Sequence, residues 1–194
     1  MSWGKNKFIF IHIPKCAGNS MWSRHYKLFR HELRKKNFKY FKDSPERNIS
    51  RFSFSFVRNP WDRLISAYKY LANGGNNSRD LKDYESLFSR YKNFRNTILN
   101  WDESFFNQIH FKPQWEWICD DNKNIIVDYV GKFENLQKDY DTACDKMSIP
   151  RTQLPHRNKT ERKHYTEYYD DETRRIVAEL YARDIEYFGY EFGI

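Results

Sequence analysis

The sequence is poor in three features that would each have assigned its class. Cysteine is scarce: Cys16, Cys119 and Cys144 are three residues in 194, too few and too scattered for a disulfide framework or a zinc site. Long apolar runs are missing, since no stretch approaches the ~18 residues of a membrane-spanning helix. No signal peptide precedes the first apolar run, and the chain is expected to be cytoplasmic. The third absence is a Walker A loop. That loop runs Gly-x-x-x-x-Gly-Lys-Ser/Thr, with the hydroxyl after the lysine holding magnesium. Here Lys15 precedes Gly18 and is followed by Cys16, an order that fits no ordinary NTPase.

What is present points to a folded, anion-seeking protein. A length of 194 residues suits a single domain over residues 1–194. Aromatic residues at 19% and hydrophobic residues at 39% argue against disorder. The formal net charge of +8 implies an anionic partner: a nucleotide, an acidic glycan, nucleic acid or a membrane surface. Charge alone does not separate these.

The chain is organised around His12 to Ser20, His-Ile-Pro-Lys-Cys-Ala-Gly-Asn-Ser. Phe8-Ile9-Phe10-Ile11 before it is an aromatic and β-branched run that predicts a buried strand. From Met21 onward, apolar residues recur at helical spacing as far as Leu33. A strand, a tight turn with a lysine and a glycine, and a helix start make an anion site, because N–H groups point outward and the helix dipole adds about half a positive charge. Lys15 would add a whole one. Taken alone, the segment is equally a plain strand–helix connection with Lys15 as a solvated charge. Cys16 beside the loop is expected as a small filling residue; a nucleophilic role is the lesser alternative.

A second stretch repeats the pattern. Phe52-Ser53-Phe54-Ser55-Phe56-Val57 predicts a strand, and Arg58-Asn59-Pro60-Trp61-Asp62-Arg63 follows. Asn59 suits an N-cap and Pro60 the first helical position. Trp61, Leu64, Ile65, Tyr68 and Leu71 then share one helical face, with Gly74-Gly75 as the stop. Ser66 is seven residues after Asn59, nearly two turns. Arg58 and Ser66 are therefore expected to face one side and hold one anion between them.

Together, Ile11 to Ser20 and Phe56 to Tyr68 resemble the two signature motifs of the sulfotransferase family, nearest to the carbohydrate-type members and their short bacterial relatives. The resemblance implies a P-loop-like parallel sheet flanked by helices, an α/β fold. It also implies 3′-phosphoadenosine 5′-phosphosulfate (PAPS) as sulfuryl donor, 3′-phosphoadenosine 5′-phosphate (PAP) as product, and no metal. In the family the first motif cradles the 5′-phosphosulfate and the second the 3′-phosphate. Lys15, Cys16, Ala17, Gly18, Asn19 and Ser20 are then donor-binding, as are Arg58 and Ser66. Lys15 is also catalytic, stabilising charge on the leaving 5′-phosphate.

Three later stretches extend the likeness. His110-Phe111-Lys112-Pro113-Gln114-Trp115 matches a His/Pro/Gln segment of relatives, and Pro113 places it on a loop or helix start. A strand is expected over Ile125 to Val130, and Phe133 after it resembles an aromatic that approaches the adenine; a core position is the alternative. Arg157, Asn158, Lys159 and Thr160 resemble a late basic loop that folds over the nucleotide, although charge runs are usually solvated faces. Helices are expected over Leu81 to Leu99, Asp139 to Met147 and Asp171 to Phe188, where apolar residues keep helical spacing. Strands alternating with helices, with both anion loops at strand ends, agree with ligand binding outside the carboxyl ends of a parallel sheet.

The expected activity is sulfuryl transfer to a hydroxyl, of a glycan or glycolipid, with no nucleic acid partner. A nucleotide phosphotransferase is the second possibility, opposed by the missing Lys-Ser/Thr pair and the lack of an obvious magnesium-binding Asp cluster. A non-catalytic binder of acidic glycan or nucleic acid is the third. Trp101, Trp115 and Trp117 are available to stack on sugar rings, although tryptophans in so aromatic a chain mostly serve the core. The general base must reach the acceptor proton within ~3 Å, and a histidine suits it. His31 lies nearest the family position, with Arg30 where a glycine is usual. One unbroken helix from Gly18 would carry His31 roughly 20 Å away, so His31 serves only if the chain turns back. His110 arrives from elsewhere and escapes that constraint. His31 and His110 are equal candidates, with Glu32 behind them, and His25 on the apolar face reads as core.

Overall fold

The computed structural model describes residues 8–18, 20–21, 29–30, 41–43, 51–155 and 163–194. The chain divides into two compact units. One comprises Met1–Arg58 and Gln114–Lys159, the other Asn59–Pro113 and Thr160–Ile194. The strands are β1 (Phe8–Ile11), β2 (Phe29–Arg30), β3 (Phe52–Val57) and β4 (Tyr129–Lys132). The α-helices whose bounds lie among the described residues are, in chain order, α1 (Pro60–Ala72), α2 (Ser78–Leu87), α3 (Phe94–Leu99), α4 (Trp115–Ile118), α5 (Leu136–Lys146), α6 (Asp171–Leu180) and α7 (Ala182–Phe188).

The first unit is built on a parallel sheet of order β2-β1-β3-β4. β1 is apolar and buried at every residue, as expected of a parallel strand covered on both faces. β3 alternates phenylalanine with serine, yet Ser53 and Ser55 are buried too. Their hydroxyls are bonded into the sheet: Ser55 Oγ donates to the Ile11 carbonyl at 2.8 Å, and Ser53 Oγ to Asp128 Oδ2 at 2.8 Å. A buried hydroxyl with a partner avoids the desolvation penalty of an orphan. Phe10 and Phe54 pack at 5.2 Å between ring centroids, and Phe54 and Phe56 at 6.2 Å. β4 joins through Gly131, where a Cβ would stand 2.5 Å from the Phe56 ring.

Two expectations are corrected in this unit. The strand foreseen over Ile125 to Val130 runs from Tyr129 to Lys132 instead. Asp128 accepts the Ser53 amide and hydroxyl, and Ile125 bridges antiparallel to Cys119, so residues 125–128 approach the sheet outside its ladder. The helix foreseen from Met21 to Leu33 does not extend that far. Phe29 and Arg30 pair in parallel with Phe8 and Ile9, so the chain has already returned to the sheet.

The second unit is helical. The Asn59 side chain accepts the Trp61 amide, Pro60 occupies the first helical position, and Trp61, Leu64, Ile65 and Leu71 are buried. Its core is an aromatic web, with Phe88 at 5.4 Å from Phe105 and 5.3 Å from Phe111. Trp101 stacks on Phe105 at 4.4 Å. The single helix foreseen over Leu81 to Leu99 is two, because the Asn93 side chain accepts the Asn96 amide and caps α3 afresh. The one foreseen over Asp171 to Phe188 breaks at Tyr181, whose hydroxyl donates to the Phe111 carbonyl at 2.7 Å. Among the described residues, no helix is long and apolar enough to cross a membrane.

Candidate functional site

In the sheet unit, three segments leave the carboxyl ends of neighbouring strands: residues 12–17 after β1, Arg58 after β3 and Phe133 after β4. Ile11 pairs with Ser55 and Val57 with Lys132, so these ends lie side by side. The strand order reverses between β1 and β3, where ligands of open α/β sheets bind.

The loop after β1 holds an unusual backbone. Lys15 has φ 69° and Ala17 φ 63°, the left-handed region, which is unfavourable by about 1–3 kcal/mol for a residue other than glycine. Alternating left- and right-handed residues turn successive N–H groups towards one concavity, an anion-binding nest. The Ser20 and Met21 amides donate to the Ala17 carbonyl at 3.0 and 3.2 Å, which starts a helix at Gly18. A Cβ at Gly18 would stand 1.8 Å from His12 Nε2, so any side chain there must displace the His12 ring. Lys15 and Ala17 are half-buried, and Cys16, Gly18 and Ser20 are buried. A helix start and left-handed turns thus adjoin Lys15 at the end of β1, a donor set of the kind that phosphosulfate would fit.

Arg58 reinforces the same edge. It is only 6% exposed, its Nη1 donates to the Lys15 carbonyl at 3.0 Å, and its guanidinium lies 4.1 Å from the centre of the Phe133 ring. A cation–π contact of this kind holds an arginine in place while its charge is desolvated. Phe133 is half-buried and carries Arg58 on one face, so neither a plain core position nor an open platform describes it fully.

Sequence reasoning marked the segment around Gln114 without giving that residue a part. Gln114 is 0% exposed. Its Oε1 accepts the Arg58 amide at 2.8 Å and lies 3.2 Å from Cys16 Sγ, while its Nε2 donates to the Arg58 carbonyl at 2.8 Å. Cys16 is buried, with its thiol donating to Gln114.

Other anticipated residues are placed separately. Ser66 is half-buried on α1, in the helical unit. His110 belongs to that unit too. Gln108 Oε1 accepts the His110 backbone amide and lies 3.0 Å from His110 Nδ1, and Gln108 Nε2 donates to Asp83 Oδ2 at 2.7 Å. With its amide nitrogen committed to Asp83, Gln108 presents an acceptor, so the neutral His110 carries its proton on Nδ1. Neither Gln108 nor Asp83 was foreseen. The chain has returned beside β1 at Phe29 and Arg30. Asn19, His25, His31, Glu32, Arg157, Asn158, Lys159 and Thr160 lie outside the described residues.

These features define a class: an α/β protein with a parallel sheet whose strand-end loops meet at the switch point of the strand order. The family comparison is more specific. Residues 3–191 match the sulfotransferase family, and the chain belongs to that family of PAPS-dependent enzymes acting on hydroxyl acceptors. It is also similar to an uncharacterized protein of Archaeoglobus fulgidus, 28% identical over 98 residues, which cover 50% of this chain and 68% of that protein.

Proposed function

We propose that this enzyme moves the sulfuryl group of PAPS to a hydroxyl of a carbohydrate acceptor, a glycan or glycolipid. The observation that carries the reading is the junction of the left-handed Lys15 loop with Arg58 on the adjacent strand end. The donor, when bound, supplies a sulfuryl group activated by a phosphate leaving group. Backbone N–H groups from Ala17 to Asn19, with the Ser20 hydroxyl, bind its phosphosulfate, the Ser20 amide itself donating to the Ala17 carbonyl. Lys15 stabilises charge that grows on the bridging oxygen, and Arg58, with Ser66, holds the 3′-phosphate. Phe133 meets the adenine, and Arg157, Asn158, Lys159 and Thr160 close over the nucleotide. Positioning and charge stabilisation then supply most of the rate. The carbohydrate acceptor rests on the likeness of both motifs to carbohydrate-type members.

Lys15→Ala should lower turnover by about 10³-fold while leaving the melting temperature within a few degrees. A wild-type rate in that variant overturns the assignment. PAP should stabilise the protein against heat without added magnesium and ATP only weakly; the reverse would favour a phosphotransferase. The base that accepts the hydroxyl proton is His31 or His110. Each is replaced by alanine, with turnover and PAP affinity measured separately. The base should lose ~10²-fold or more in rate and still bind PAP; full activity in both variants excludes both. Labelled PAPS offered to a panel of glycans, lipids and small alcohols identifies the acceptor.

A further inference from the structure

We infer that Gln114 is a positioning residue that clamps the two donor-binding loops into one rigid cradle. The inference rests on the donor site proposed above and adds a residue to which that reading gives no part.

Gln114 stands at the N-cap position of α4, where a polar side chain usually bonds the first free amides of its own helix. It makes no such cap bond. Its side chain instead reaches Arg58, 56 residues away in sequence, and closes a two-bond ring on that residue's backbone: Arg58 N to Oε1 and Nε2 to Arg58 O, both 2.8 Å. A side-chain amide used in this way continues the hydrogen bonding of β3 beyond its last residue, Val57. The same Oε1 accepts from the Cys16 thiol at 3.2 Å, so one oxygen touches both the residue after Lys15 and the amide of Arg58.

Arg58 closes the circuit by donating from Nη1 to the Lys15 carbonyl at 3.0 Å. Lys15 and Ala17 sit in left-handed conformations that only surrounding contacts can maintain. Gln114 supplies such contacts from a position that is 0% exposed. Neither Gln114 nor Cys16, itself 1% exposed, need touch the donor. They act through Arg58 and Lys15. Glutamine is suited to the task because it offers an acceptor and a donor on one planar group; methionine has similar length and neither function.

The test is Gln114→Met. PAP affinity and binding stoichiometry are read by titration calorimetry, with KM for PAPS and kcat alongside. A clamp predicts that Kd for PAP rises about tenfold at unchanged stoichiometry, that kcat falls by a similar factor, and that KM for the acceptor stays within twofold. A purely structural Gln114 predicts the opposite pattern, a lower melting temperature and reduced stoichiometry with Kd at the wild-type value, and that result overturns the inference. Should Gln114→Met yield no folded protein, Cys16→Ala decides instead. It cuts one arm of the clamp with little change in volume, and should weaken PAP about threefold; a wild-type Kd overturns the inference. Wild-type protein that fails to bind PAP would sink the donor-site reading and the clamp together, whereas wild-type binding with unaffected variants sinks the clamp alone.

Discussion

The two compact units bury aromatic side chains by different means. In the sheet unit, Phe10, Phe54 and Phe56 stack along β1 and β3, and close approach is bought by glycine at Gly18 and Gly131. Hydrogen bonds from buried side chains there join segments far apart in sequence, such as Cys16 to Gln114 across 98 residues and Ser53 to Asp128 across 75. In the helical unit, Phe88, Phe105, Phe111 and Trp101 pack on one another in a web, and long-range bonds such as Tyr181 to Phe111 across 70 residues accompany local ones at Asp80 and Thr173. Because the Lys15 and Arg58 loops belong to the sheet unit and the aromatic web to the helical one, damage to the sheet unit should register first in ligand binding, and damage to the helical unit first in stability.

The largest test of that contrast is Phe88→Ala. Phe88 is buried against four other rings, Tyr68, Tyr84, Phe105 and Phe111, and its truncation should lower unfolding free energy by about 3–5 kcal/mol in urea denaturation. PAP affinity of the folded fraction should stay within twofold; a tenfold change would erase the distinction between the units. Next comes Gly18→Ala. The new methyl must displace the His12 ring, at about 1 kcal/mol because the atoms met are the far edge of an imidazole, and PAP binding should weaken at least tenfold. Adding His12→Ala should restore the stability, and no recovery would mean that the obstacle lies elsewhere.

Smaller effects sharpen the same line. Asp170 caps α6 by accepting the Thr173 amide at 2.8 Å and also pairs with Arg95. The Thr173 amide first, and then Arg95, hold its carboxyl well below the ordinary carboxylate range. Asp170→Ala should cost about 1 kcal/mol near neutral pH. Because the folded-state pKa is depressed, this contribution is complete above the unfolded value near pH 4 and fades as pH falls further. Urea midpoints of wild type and Asp170→Ala should therefore converge on acidification; a constant gap would show that the charge is irrelevant. Smallest of all, Arg151→Ala removes an exposed ion pair with Asp145 and should leave both the melting temperature and PAP affinity unchanged.

What the sequence disclosed divides along the same physical lines. β1, β3 and α1 were legible because their signals are local: an apolar run, an alternation, an Asn-Pro helix start. The helix breaks at residues 88–93 and at Tyr181 were hidden because apolar spacing continues across them. At Tyr181 a tertiary hydrogen bond to Phe111 accompanies the break. β2 spans two residues, too few for any period to show. At the site, Lys15 and Arg58 stand in contiguous motifs, whereas the role of Gln114 depends on backbone groups that no motif spells out. Gln108 and Asp83 were invisible for the same reason, their connection to His110 running from α2 to a segment 25 residues further along the chain.

The sheet order has a consequence for how the molecule is made. Ser55 meets Ile11 across 44 residues and Ser53 meets Asp128 across 75, and among the described residues every neighbouring pair of strands in the sheet is parallel, with no hairpin between them. Closing such long intervals slows assembly more than it weakens the product. During synthesis, β3 must wait until the whole of 59–113 has emerged before Gln114 and β4 can meet it. The cradle is therefore completed late. In refolding from urea, far-ultraviolet helical signal should return before PAP binding does, and simultaneous recovery of the two would contradict that order.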